Sequence, residues 1–239
     1  PVGIINETHE PPTFYGTERN PVEKNIIPAT WWEGGLGLSG QFGEGFSYDL
    51  MVHSGMQVDL TSTKGDIYIR GGRQKVAEAA ANNAAYTARL KYTGIRGLEL
   101  ASTVHVQDDI TQNDADEVEG ATLVEAHVIY NVSALTLKAL YAQWDIDTTA
   151  AATVVQKEED TQKGFYVEAG YKLTEKLGVF ARHNEWETED VAGQDANTQL
   201  DFGVNYWPHE NVVFKADFQQ QNTQAGDFDG INLGVGYQF

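Results

Sequence analysis

The chain ends in Gly-Ile-Asn-Leu-Gly-Val-Gly-Tyr-Gln-Phe, residues 230–239, and this stretch is the strongest indicator of its fold. Apolar residues alternate strictly with polar residues or glycine, which places the two kinds on opposite faces of a β-strand. The apolar face ends in Phe239, the last residue. Chain ends fray in water, so a soluble sheet seldom places an exposed aromatic residue there. A strand that faces lipid on one side and water on the other accounts for the pattern.

The same alternation recurs upstream in segments of about ten residues. Short turns and long connections alternate between these segments; the long ones span roughly 55–83, 108–120, 145–163, 187–198 and 221–229. This alternation is typical of an antiparallel up-and-down β-barrel in a membrane, whereas a Greek-key sandwich would not keep it. The predicted strands are Trp31–Phe42, Phe46–Ser54, Ala84–Tyr92, Leu98–Gln107, Ala121–Tyr130, Ala134–Trp144, Gly164–Tyr171, Leu177–Trp186, Gln199–Tyr206, Val212–Gln220 and Gly230–Phe239.

Aromatic residues occupy one end of every second strand, on the apolar face. β-Propensity explains their presence in strands but not their common phase and height. Tyrosine and tryptophan favour the membrane–water boundary, so two such rings predict a bilayer between them. The first girdle comprises Phe42, Tyr92, Tyr130, Tyr171, Tyr206 and Phe239, and we predict the second at Trp31, Trp32, Trp144 and Trp186.

The opposite strand faces are rich in charge. A packed apolar core could not hold so many ionised groups, whereas a water-filled lumen can. The sequence therefore predicts a pore lined by Arg89, Lys91, Glu125, Lys138, Glu168, Arg182, Asp201 and Lys215, with Glu33, Asp49, Glu99 and His105 in the same phase.

Composition excludes several other functions. The net charge of −19 argues against a nucleic-acid partner, and the absence of cysteine excludes thiol nucleophiles and thiolate metal sites. The six histidines lack the spacing of a metal site, so no metal or cofactor is predicted. No apolar run approaches the roughly 18 residues of a transmembrane helix, but a spanning strand needs only about 9–11. The alanine-rich stretch Lys75–Asn83 predicts a short helix in the longest loop.

The beginning of the chain predicts further sequence before it. If Phe239 lies on the periplasmic side, residues 6–30 form an extracellular connection and Pro1–Ile5 are the tail of an ascending strand. An open sheet edge is not tolerated in lipid. We therefore expect residues 1–239 to be the carboxyl-terminal part of one barrel domain, preceded by about four to five more strands.

Several short motifs resemble the phosphate-selective porin O and P family of bacterial outer-membrane porins. These are Pro1-Val2-Gly3-Ile4-Ile5, then Thr13-Phe14-Tyr15-Gly16-Thr17-Glu18-Arg19-Asn20, and the glycine-rich stretch Gly35–Tyr48. The stretch Gly178-Val179-Phe180-Ala181-Arg182 and the ending at Phe239 also resemble the family. The resemblance implies a barrel of about 16 strands in the outer membrane, usually a homotrimer, in contact with lipid and lipopolysaccharide and passing small hydrophilic solutes.

The resemblance also implies that residues 6–30 are a loop that narrows the pore. The candidate constriction residues are Glu7, Glu10, Glu18, Arg19, Glu23 and Lys24. Phosphate-specific members line their pores with basic residues, whereas this loop has four glutamates against two basic side chains. We therefore expect weak selectivity with a lean toward cations. Glu18 and Arg19 could pair, which would leave Glu7 and Glu10 to passing ions.

Two other classes of function compete with a diffusion channel. A barrel enzyme would need a nucleophile, a base and an orienting group at the rim, and nothing in the sequence marks them. A structural or adhesive barrel with a plugged lumen could bind a partner through its long acidic loops. Conductance separates the channel from both alternatives.

Overall fold

The structure, a computed structural model, describes residues 1–60, 67–77, 79–113, 119–148, 159–189 and 195–239. A single 12-stranded sheet dominates it. The strands are β1 (Gly35–Phe42), β2 (Phe46–His53), β3 (Ala85–Tyr92), β4 (Leu98–Gln107), β5 (Ala121–Val132), β6 (Leu135–Ile146), β7 (Thr161–Lys172), β8 (Leu177–Glu187), β9 (Asn197–His209), β10 (Val212–Thr223), β11 (Gly226–Asp227) and β12 (Gly230–Tyr237).

Every strand pairs antiparallel with its neighbours in chain order, except that β10 pairs with both β11 and β12. This confirms the predicted up-and-down β-barrel architecture and all eleven predicted strands. The two-residue strand β11 is additional, and it reduces the predicted long connection at 221–229 to a tight turn. Within the described residues, β1 and β12 are each paired on one side.

The strand register separates the side chains into two faces. Residues 1–34 pack against one of them, which we call the inner face; the other is the outer face. On β5, Glu125 and His127 are buried on the inner face, while Val124 and Tyr130 are about 40% exposed on the outer face. Inner-face charges also lie directly opposite one another on successive strands: Lys138, Glu168, Arg182 and Asp201 form one row across β6 to β9.

Toward the long connections, the inner face of β5–β8 carries an apolar core. Leu123, Leu140, Trp144 and Tyr166 are buried there against the first 34 residues and the connection after β2. The sequence reading, which treated the inner wall as polar, missed this core. The apolar residues share the inner-face phase with the charges but stand nearer the long connections.

Three of the four tryptophans predicted for the second girdle are not on the outer face. Trp144 and Trp186 are buried on the inner face. Trp144 lies an even number of positions after Lys138 on β6, and Trp186 lies an even number after Arg182 on β8, so each shares a face with that charge. Trp31 packs on Trp144 and His105 at ring-centroid distances of 6.3 and 5.0 Å. Trp32 alone of the four is more than half exposed.

Two local predictions near the loops are wrong. Pro1–Ile5 form no strand; instead Val2, Ile4 and Ile5 are buried inside the sheet. The helix predicted at Lys75–Asn83 is absent from the described residues of that stretch (residue 78 lies outside them), because Lys75 and Val76 take positive φ angles of 54° and 63°. A 3₁₀ helix, Ile69–Gly72, precedes it.

The other helical elements are equally short. They are a 3₁₀ helix at Pro11–Thr13 and a π-helical turn at Val22–Ile26. In the part of the chain that the structure describes, no helix is long and apolar enough to cross a membrane.

Candidate functional site

Residues 1–34, hereafter the inner segment, lie across the inner wall and are held there by hydrogen bonds to their backbone. Lys215 Nζ donates to the carbonyl oxygens of Phe14 and Gly16 at 2.9 and 2.8 Å. Trp144 Nε1 donates to the Ile26 carbonyl at 2.9 Å. Hydrogen bonds to the wall at these two separate points give the backbone of the segment a defined path across the sheet. Asn205, Trp207 and Arg182 donate similarly to the carbonyls of Phe14, Pro12 and Tyr15.

Glycines on the inner wall create the space for this segment. A side-chain carbon at Gly170 or Gly178 would overlap the ring of Tyr15, and one at Gly236 would overlap Pro11. Glycine in a strand interior often marks a place where another part of the chain approaches closely. These glycines are therefore the one sequence signal for where the segment docks.

Glu23, predicted to face the pore, is instead wholly buried beneath the segment. Its carboxylate accepts hydrogen bonds from the Ile5 amide (2.7 Å), Asn20 Nδ2 (3.0 Å) and the Tyr166 hydroxyl (2.9 Å). Burial raises the pKa of Glu23, although these donors act in the opposite direction. Glu23 is thus an anchor between the segment and β7 rather than a group that meets passing ions.

Glu7 is also engaged, contrary to the prediction. Its carboxylate is 2.9 Å from Arg89 Nη1 and 2.8 Å from Lys91 Nζ, both on β3. Partial burial acts to raise the pKa of Glu7, but the hydrogen bond and charge of Lys91 and the charge of Arg89 outweigh it and leave the pKa lowered. The predicted ion pair between Glu18 and Arg19 is absent from the described residues. The loop glutamate that does form ion pairs is Glu7, which had been expected to stay free.

The Glu7 contact predicts an acid-sensitive latch. A carboxyl group whose pKa is lowered in the docked state stabilises that state at pH values above its ordinary pKa of 4.5, and the stabilisation is lost as the pH falls through the lowered value. We expect a spectroscopic probe near Glu7 to report release of this end of the segment on acidification. Glu7→Gln should release it already at neutral pH, and Glu10→Gln should leave the transition unchanged. An identical pH profile in Glu7→Gln would contradict the latch.

The charges around the latch form a connected network. Arg89 also pairs with Asp49 at 2.8 Å, and Lys91 pairs with Glu99 at 3.3 Å. Glu99 in turn meets His127, whose other ring nitrogen is 2.6 Å from the buried Glu125. Together with His127, which was not predicted for the wall, these predicted wall residues therefore compensate one another along β2 to β5.

A second charged network stands on β6 to β9. Arg182, whose side chain is 3% exposed, lies 2.9 Å from Asp201 and 3.3 Å from Glu168. Lys138 Nζ is 3.3 Å from the other oxygen of Glu168. Because Arg182 also donates to the Tyr15 carbonyl, this network connects the wall to the inner segment.

The remaining constriction candidates surround a cavity of about 260 Å³ between the segment and β12. Glu18, Arg19 and Lys24 line it, together with Arg70 and Lys215. Glu10 lies beside it at the start of the Pro11–Thr13 helix, half-buried. With Glu7 paired and Glu23 buried, Glu10 and Glu18 are the predicted constriction carboxylates left near this space, and four basic residues, Arg19, Lys24, Arg70 and Lys215, line it. The charges around this cavity therefore do not support a cation preference.

Five residues predicted for the first girdle, Phe42, Tyr92, Tyr130, Tyr171 and Tyr206, lie on the outer face near strand ends that meet the short turns, and Phe239 follows β12 in the same phase. Phe42, Tyr130, Tyr171 and Tyr206 are 39–51% exposed, and Phe239 is fully exposed. Tyr92 is partly covered by Phe46, at a ring-centroid distance of 4.7 Å. Many of the other exposed side chains on this face are also apolar, among them Leu50, Val124, Val167 and Phe202, as expected of a surface that meets lipid.

The sheet order, the paired charges inside and the apolar face outside define the β-barrel fold of the bacterial outer-membrane porins. The outer membrane channel DcaP of Acinetobacter baumannii superimposes with a TM-score of 0.60 at 14% identity, covering 87% of this chain and 62% of that one. OmpF of Salmonella typhi, solved with daunomycin, gives 0.60 at 13% identity, covering 86% and 62%. A porin refined at 1.8 Å resolution gives 0.54 at 15% identity, covering 86% and 61%.

Sequence comparison identifies one relative and no family. An uncharacterized protein of Aquifex aeolicus (strain VF5) is 27% identical over 256 aligned positions, covering 93% of this chain and 56% of the relative. The chain thus spans about half the length of the curated relative it matches. No family profile matches the chain, so membership of the phosphate-selective porin O and P family stays a prediction.

Proposed function

We propose that the chain forms the wall and constriction of a passive outer-membrane channel for small hydrophilic solutes. The observation that carries the proposal is an inner wall of acidic and basic side chains, Arg89, Lys91, Glu125, Lys138, Glu168, Arg182, Asp201 and Lys215, crossed by a segment bonded to it. Where the segment leaves such groups uncovered, as at Asp49 (side chain 35% exposed), they favour contact with water over a dry interior. The inner segment, residues 6–30 in particular, narrows that water-filled space.

The channel we propose is weakly selective. Most wall charges are compensated by a neighbour within 3.3 Å, as in Arg89–Asp49 and Arg182–Asp201. Uncompensated charge in a narrow, low-dielectric passage would be amplified, so compensation keeps the net field small. At the cavity beside β12, Glu10 and Glu18 are outnumbered by Arg19, Lys24, Arg70 and Lys215, so the charges there do not add a cation preference.

The proposal includes the surroundings of the barrel. The outer face and its girdle fit an outer-membrane bilayer, with lipopolysaccharide around the long loops, and no enzyme chemistry, cofactor, metal or nucleic acid is invoked. The family resemblance adds a homotrimer. The competing plugged, adhesive barrel has no specific observation in its favour.

Planar-bilayer recordings of the complete natural protein test the channel. We expect stepwise increases in conductance and a small reversal potential in a potassium chloride gradient. Insertion without conductance would favour the plugged barrel. A strong preference for either ion would overturn weak selectivity but not the channel.

A further inference from the structure

A second cavity, of about 320 Å³, lies at the long-loop end of the barrel and differs in chemistry from the charged wall. The ends of β8 and β10, the start of β9 and the two segments around Asn25 and Tyr68 enclose it. None of the described residues that line it is charged at neutral pH, although 21% of the chain is Asp, Glu, Lys or Arg. Its volume lies at the low end of the ~300–1,000 Å³ typical of small-molecule sites.

Four side-chain amides, Asn25, Gln162, Asn197 and Gln224, are among its polar groups, together with the hydroxyls of Tyr68, Thr188 and Thr223. Hydrogen bonds orient two of these amides: the Gln162 amide nitrogen donates to the Ile67 carbonyl in the connection after β2 (2.9 Å), and that of Asn197 donates to the Trp186 carbonyl on β8 (3.3 Å). The side chains of Asn25 and Gln224 make no hydrogen bond with any described residue. A side-chain amide offers both donors and an acceptor, which matches a hydroxyl group that donates and accepts.

Two aromatic residues complete the cavity. Tyr68 is 60% exposed, whereas Trp186 is 6% exposed. Aromatic rings present a partially negative face that attracts the polarised C–H groups of a sugar ring. Amides beside aromatic rings thus suit a ligand with many hydroxyl groups and an apolar ring face.

We propose that this cavity is a binding site for a neutral sugar of monosaccharide size, placed where solutes would enter the channel. A charged ligand would lose its hydration with no opposite charge on the described wall to replace it. An apolar ligand would displace water from the half-buried amide of Asn25 without replacing its hydrogen bonds. The inference deepens the proposed function by naming a solute class, and in that respect rests on it.

The test uses glucose and glucuronate, two ligands of the same ring that differ by a carboxylate. Tryptophan fluorescence of the complete protein in detergent micelles is titrated with each. We expect saturation by glucose at concentrations on the order of millimolar and about tenfold weaker binding of glucuronate. Tyr68→Ala and Gln224→Leu should each weaken glucose binding by a comparable factor, and Tyr86→Ala, exposed on the outer face, should not.

Three results would refute the sugar site. Glucose that gives no saturable change, glucuronate that binds as tightly as glucose, or unchanged affinity in both Tyr68→Ala and Gln224→Leu would each refute the site. Because the titration needs no current, its outcome is separate from the conductance test. A protein that conducts but does not bind glucose loses only the sugar site, and one that binds glucose without conducting loses only the channel.

Discussion

Replacing Glu23 by alanine should detach the inner segment from the barrel wall. The change leaves the Ile5 amide, Asn20 Nδ2 and the Tyr166 hydroxyl without their shared acceptor in a site that is 1% exposed. An unsatisfied buried donor costs about 1–3 kcal/mol, so the docked segment should lose several kcal/mol of stability. Limited proteolysis of the folded protein should then cleave within residues 1–34, and single-channel current should become noisier.

Two matched variants isolate the effect. Glu23→Gln keeps an acceptor oxygen and should retain most of the docking. Glu18→Ala removes an exposed carboxylate of the same loop and should change neither proteolysis nor current noise. Equal protection of the segment in Glu23→Ala and the native protein would show that Glu23 is not its anchor.

Arg182→Leu should have the second large effect, on the barrel itself. Arg182 is the common partner of Glu168 and Asp201, whose side chains are 4% and 3% exposed. Removing one member of a buried ionic group leaves uncompensated charge and typically costs about 3–5 kcal/mol. Urea unfolding in detergent micelles should show a decrease of that order in the free energy of unfolding.

Neutralising the stranded carboxylates provides the control. Arg182→Leu combined with Glu168→Gln and Asp201→Asn should recover part of the loss, since no unpaired charge remains. Glu187→Gln removes an exposed partner of Lys163 and should cost at most about 1 kcal/mol. A single Arg182→Leu variant as stable as Glu187→Gln would contradict the role assigned to this network.

The face assigned to each strand residue could be predicted because the side-chain period of a strand is two. Once Tyr130 is on the outer face, Glu125 and His127 must be on the inner face, and the structure has them so. The same rule, applied consistently, would have placed Trp144 with Lys138 on the inner face. That error came from giving tryptophan's preference for interfaces more weight than its phase.

The path of the inner segment could not be predicted, since it depends on contacts between residues far apart in the chain. Glu23 meets Tyr166, 143 residues away, and Glu7 meets Lys91, 84 residues away. A count of loop charges could therefore not tell which of these residues are buried or paired. Glycines such as Gly170, where a side chain would overlap Tyr15 of the segment, were the available signal.

The central claim, that the inner face borders water and the outer face borders lipid, is tested most directly on two adjacent residues of β2. Asp49 lies on the inner face with its side chain 35% exposed, and Leu50 lies on the outer face, 46% exposed. The chain has no cysteine, so Asp49→Cys and Leu50→Cys can be probed in lipid bilayers with a charged, membrane-impermeant thiol reagent without background. We predict that Asp49→Cys is modified and that its single-channel conductance changes, while Leu50→Cys is not modified. Modification of Leu50→Cys with protection of Asp49→Cys would contradict the account.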